Sequence, residues 1–156
     1  MTGKIQQELQ QNKPVPSLEE EAYLNVQRTA NVLLQGLTEV LRGHDLTPTQ
    51  YNVLRILRGV HPQRHTCSEV GARLVDRTPD VTRLLDRLEA RGLISRERPA
   101  HNRRQVITRV TGEGLRLLAE LDVPVVESHR SLAGHLGERQ LKTLNRLLEA
   151  LRGEQV

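Results

Sequence analysis

Between positions 73 and 109 the chain sets ten arginines against five acidic residues, Asp76, Asp80, Asp86, Glu89 and Glu97. This local surplus of five exceeds the net charge of +4 carried by all 156 residues, so the remainder sums to about −1 by subtraction. Guanidinium groups bind phosphate oxygens in forked, charge-assisted geometry, and a cluster of them is the chemistry of a polyanion-binding surface. The residues whose types and spacing fit such contacts are Ser68, Arg73, Arg77, Thr78, Thr82, Arg83, Arg87, Arg103 and Arg104, with Pro79 framing the helix start beside Thr78. No comparable grouping of acid, base and nucleophile, and no Gly-rich phosphate loop, supports catalysis, so an enzyme is not expected.

The elements that must position these groups can be read from caps and periodicity. Thr78 and Pro79 carry the cap and first-position signals of a helix, and Val81, Leu84, Leu85 and Leu88 give it an i, i+3, i+4, i+7 apolar stripe ending at Gly92. The opposite face carries Arg83, Asp86 and Ala90, flanked by Thr82 and Arg87. Residues 93–98 and 105–110 read as strands joined by the turn Pro99 to Arg104. Before this helix, Ser68 is expected to cap a shorter one running to about Val75, and His61 to Thr66 form a loop with one short strand.

The flanks are helical. Ser17 and Glu20 have capping-box spacing, and an apolar stripe from Val26 to Leu41 continues to Arg42, with Gly43 as the stop. Thr47, Pro48 and Gln50 repeat the start signal for a helix whose Tyr51, Val53, Leu54, Ile56, Leu57 and Val60 occupy several faces, predicting central burial. Thr111 caps a helix to Ala133 that Pro124 should kink, and residues 138–152 form a last helix with Leu141, Leu144, Leu148 and Leu151 in a seam. Residues 1–16 are polar, end in Pro14 and Pro16, and read as a loose arm.

Composition narrows the partners. With no Phe or Trp and two Tyr, the chain lacks the stacking platforms of single-strand binders, whereas duplex DNA requires none. The single cysteine, Cys67, excludes an internal disulfide and a ribbon of paired zinc-binding cysteines. The six histidines, His44, His61, His65, His101, His129 and His135, show no tight metal-ligand spacing, and neither metal nor other cofactor is expected, with a metal-responsive regulator in which His129 and His135 approach His44 as the alternative. No apolar run approaches membrane-spanning length and no leader opens the chain, which predicts a cytoplasmic location.

Two helices joined by a tight turn and followed by a β-hairpin make a mainly α fold with a small β-wing, a winged helix-turn-helix. LTPTQYNVLRIL (46–57), SEVGARLV (68–75), DVTRLLDRLEARGLISRERP (80–99) and NRRQVITRVTGEG (102–114) resemble the MarR family of multiple antibiotic resistance regulators. That resemblance covers nearly the whole chain. It implies one domain over 17–156, with a DNA-binding lobe at 47–111 and dimerisation helices at 17–43 and 112–152. It further implies a homodimeric transcriptional regulator, more often a repressor, on a pseudo-palindromic double-stranded operator, released in many relatives by a small-molecule effector.

In the family the wing carries Asp, any residue, Arg. This chain has Asn102, Arg103 and Arg104, so Arg104 inherits the minor-groove role while the anionic partner is replaced by a neutral acceptor about half as strong. The cleft where relatives bind phenolic ligands would be lined by Tyr51 and Arg55. Some relatives sense oxidants through a cysteine near the start of the first helix. Cys67 lies elsewhere, so packing beneath the lobe is its expected role, with a redox role using His65 as the alternative. Two rival readings remain open: a winged-helix module facing an acidic protein, and an enzyme built on Cys67 and His65.

Overall fold

A computed structural model describes residues 4–76, 80–99 and 105–153. Helices α1 (Lys4–Glu8), α2 (Leu18–Arg42) and α3 (Pro48–Gly59) lead to strand β1 (His65–Thr66) and helices α4 (Cys67–Arg73) and α5 (Val81–Ala90). Strands β2 (Ile94–Glu97) and β3 (Ile107–Val110) precede α6 (Gly112–Ala133) and α7 (Glu138–Arg152). The groove-facing helix expected from the sequence is therefore α5.

Several boundaries follow from caps read in the sequence. Ser17 accepts from the Glu20 N–H and begins α2, and Arg42 ends it. At Thr47 the capping box is reciprocal: its hydroxyl accepts from the Gln50 N–H, and the Gln50 Oε1 accepts from the Thr47 N–H at 2.9 Å. Thr111 begins α6, which continues past Pro124 to Ala133.

The loose arm expected over residues 1–16 needs correction. Lys4–Glu8 is helical and packs on α2, because Ile5 is an apolar residue with a place to go: it is 2% exposed. Burying one such side chain contributes about 2 kcal/mol, enough to dock a short polar segment.

The core gathers Tyr51, Val53, Leu54 and Leu57 of α3, Val70 of α4, Leu85 and Leu88 of α5, and Leu118, Leu121 and Val125 of α6. Central burial of α3 is thus as its many-faced apolar pattern predicts. Arg58 and Asp122 fork together at 2.8 and 2.9 Å, bracing α3 on α6. The α2–α6 pair approaches closely at Gly36, where a Cβ would meet Leu132 Cδ1 at 2.6 Å. Among the described residues no helix is long and apolar enough to cross a membrane.

The wing is three-stranded rather than two-stranded. The order is β1-β3-β2, antiparallel throughout, with His65 opposite Thr108 and Arg96 opposite Thr108 on the other side. Ile107, Thr108 and Val110 are all buried in β3, the central strand, which is paired on both edges. Gly92, at φ +69°, makes the left-handed turn from α5 into the sheet that a side chain would strain.

Candidate nucleic-acid interface

The start of α4 differs from expectation in an instructive way. Ser68 is not the cap: Thr66 is, accepting from the Glu69 N–H while Glu69 Oε2 accepts from the Thr66 N–H at 2.7 Å. Position Ser68 loses the competition because the residue three places on is Gly71, which has no side chain to return the bond. Ser68 instead lies in the first turn. The hydrogen bonds from Thr66 hold the Glu69 carboxyl below its ordinary value, with the backbone N–H the largest influence.

A comparable shift occurs at α5. The expected cap Thr78 and first-position Pro79 lie outside the described residues, as do Arg77, Asn102, Arg103 and Arg104. Within them, Asp80 caps α5: its Oδ1 accepts from the Arg83 N–H at 3.0 Å, and the helix begins at Val81. A carboxylate at this end also complements the helix dipole. The preceding turn is tied to the core by the Val75 N–H, which donates to Asn52 Oδ1 at 3.0 Å.

The described arginines divide by their partners. Arg83 stands in the exposed first turn of α5 beside Thr82, its Nε 3.2 Å from Asp80 Oδ2. Such an exposed pair is weak and exchanges readily for a phosphate. Arg73, exposed at the end of α4, contacts the Nε2 of buried His65. Arg109 and Arg64 both meet Glu97 at 3.0 Å. Arg87 and Arg98 make no ion pair with a described residue, and Arg87 faces a cleft beside α2 and α3.

Arg96 is different in kind. Its guanidinium bonds Glu89 through Nε at 2.8 Å and Nη2 at 2.6 Å, and Asp86 through Nη2 at 2.5 Å, while the Glu89 Oε1 accepts from the Arg96 backbone N–H. These bonds, Glu89's foremost, raise the guanidinium above its ordinary value, so it stays charged throughout. Arg96 therefore fastens strand β2 to the outer face of α5 and is not a free phosphate ligand.

The arrangement is a short helix, a turn, a second helix with an exposed basic first turn, and a sheet clamped to its side. Such a scaffold presents one rigid helix end to a groove. In comparison with known proteins, the MarR family model matches residues 44–105. A MarR transcription factor from Planctomyces limnophilus is similar at 40% identity and a TM-score of 0.69, covering 87% of this chain and 98% of that one. The chain belongs to the MarR family.

Two further relatives bear on this MarR-family protein. The Escherichia coli homoprotocatechuate degradative operon repressor is 26% identical over 110 residues, which are 70% of this chain and 73% of that protein. A cysteine-to-serine mutant of MarR from Escherichia coli, in complex with operator DNA, matches at 26% identity and a TM-score of 0.75, over 86% of this chain and 98% of that one. The chain is a DNA-binding transcriptional regulator of this family.

Tyr51 is 4% exposed and packs in the core, where burial raises its phenol above the ordinary value. Arg55 covers its ring, with Cζ 5.8 Å from the centroid. Cys67 is half-buried as the first residue of α4 and packs against the core. The nitrogens of His65 face Arg73 and Glu69. Among the described residues no group of three or more His, Cys, Asp and Glu could hold a metal ion.

Sequence reasoning missed the Arg96–Glu89–Asp86 cluster and the role of Arg91, whose guanidinium donates to the carbonyls of His44, at 3.0 Å, and Asp45. Arg91 so satisfies orphan carbonyls past the end of α2. The spacing of Glu89 and Arg96 is seven residues across a turn, and no local periodicity flags it.

Proposed function

We propose that this regulator binds a pseudo-palindromic operator as a homodimer and acts as a repressor. The first turn of α5, with Thr82 and Arg83, would enter the major groove, and Arg103 and Arg104 of the wing would reach the neighbouring minor groove. Ser68, Arg73, Arg77, Thr78 and Pro79 would make or frame backbone contacts, with Arg87 on the flank and Asn102 supporting the wing. The observation that carries this reading is the exposed, basic first turn of α5 clamped beside the sheet.

Dimerisation is supported by apolar residues left uncovered on three helices: Leu33 and Leu34 of α2, Val123 and Val126 of α6, and Leu144, Leu147 and Leu151 of α7. Among the described residues α7 buries none of its own. Two protomers joined there would present their α5 helices about 34–36 Å apart, one turn of DNA. Repression is supported by the likeness to an operon repressor, and release by a small-molecule effector completes the proposal.

The test is operator affinity by anisotropy. Arg83→Ala and Arg104→Ala are each expected to weaken binding about tenfold with the dimer intact by sedimentation. Unchanged affinity in both variants would overturn the assignment of these contacts.

A further inference from the structure

His65 is a buried side chain that packing alone does not explain. It stands on β1 at 7% exposure, where an apolar residue would leave no polar atom stranded. Its Nδ1 is buried without a hydrogen bond among the described residues, as is Oγ1 of Thr108 on the strand opposite. The one bonded atom of the ring is Nε2, which meets the guanidinium of Arg73. A guanidinium can only donate, so Nε2 accepts and the ring is neutral, with its proton on Nδ1, 3.5 Å from Oε2 of Glu69.

Arg73 is the last residue of α4, exposed, and makes no ion pair with a described residue. Other arginines of the lobe are held by carboxylates: Arg83 by Asp80, and Arg64 and Arg109 by Glu97. A carboxylate orients a guanidinium but also offsets its charge, so a phosphate must displace it. A neutral imidazole orients the guanidinium and leaves the charge whole. The ring is itself fixed, because β1 is paired to β3 with His65 opposite Thr108. A long side chain held this way has given up rotamer freedom before DNA arrives, which lowers the cost of binding.

We infer that His65 is a positioning residue for DNA binding: its Nε2 holds the Arg73 guanidinium, with its charge uncompensated, in place for a phosphate of the duplex. The Arg73 contact rests on the function proposed above, and His65 acts through it.

The test uses the full chain and the pool of fluorescein-labelled duplexes that the parent protein enriches from a random library, with affinity read by anisotropy over a range of salt. Arg73→Ala is expected to weaken binding about tenfold and to make the slope of log affinity against log salt shallower by about 1. His65→Leu, which removes the acceptor and suits a buried position, is expected to weaken binding about fivefold with a urea midpoint no lower than the parent's. His65→Gln, whose Oε1 can stand where Nε2 does, is expected to bind within about twofold of the parent. With Arg73→Ala already present, His65→Leu is expected to change affinity by less than about twofold, because its partner is gone. The inference is overturned if His65→Leu binds as tightly as the parent, if its loss of affinity comes with a lower urea midpoint, if His65→Gln binds no better than His65→Leu, or if the two losses add in full in the double variant. Parent-like binding by Arg73→Ala overturns it as well, and leaves Arg83 and Arg104 to be judged by their own variants. A parent that enriches no duplex overturns the function proposed above together with it.

Discussion

Arg96 shows how a basic residue near a DNA-binding surface can be withheld from DNA. Its side chain is 19% exposed and engages two carboxylates of α5. The distance in sequence and the identity of the partners were not legible beforehand, since a run of charges does not say which cations face acids across a turn. By contrast, the outward placement of Thr82 and Arg83 was legible from the apolar stripe opposite them. Breaking one partner of a half-buried pair leaves carboxylates without their donor. Arg96→Ala is expected to destabilise the fold by about 1.5 kcal/mol, read from urea denaturation, whereas Arg98→Ala should fall within about 0.5 kcal/mol of the parent.

Among the elements, helix starts were legible to the degree that one cap had no neighbouring rival. Thr47-Pro48-Thr49-Gln50 had none, and α3 begins there. Thr66 and Ser68 competed, and the reciprocal bond with Glu69 decided it. Strand β1 was too short, at two residues, for alternation to reveal its pairing with β3. The Thr66–Glu69 box also carries a pH dependence. Glu69 has its pKa lowered from 4.5 on folding, so its contribution is fully present above about pH 4.5 and is lost as pH falls through the lower folded value. Thr66→Ala is expected to cost about 1 kcal/mol at neutral pH, with a smaller difference at pH 3, measured by denaturant melts at each pH.

For the whole molecule, the sequence surplus of ten arginines over five acids resolves into two populations. Some arginines brace the lobe: Arg96 and Arg91 join elements, and Arg109 sits on Glu97. Others, such as Arg83, hold only exchangeable surface partners. Net charge gave the sign of the partner, but only the fold separates clamps from contacts. The long helices pose the complementary question of what covers their leucines. Leu147 is 58% exposed on α7. If this face joins two protomers, Leu147→Lys places a charge in the seam, and sedimentation is expected to show a concentration-dependent shift toward monomer; an unaltered dimer would move the interface elsewhere.

A palindromic operator read by paired α5 helices is the central claim, and selection of bound duplexes from a random library tests it most directly. The account predicts recovery of a two-fold-symmetric sequence with half-sites about 10–10.5 base pairs apart, centre to centre. Recovery of asymmetric single sites, or no enrichment over the starting library, would contradict it.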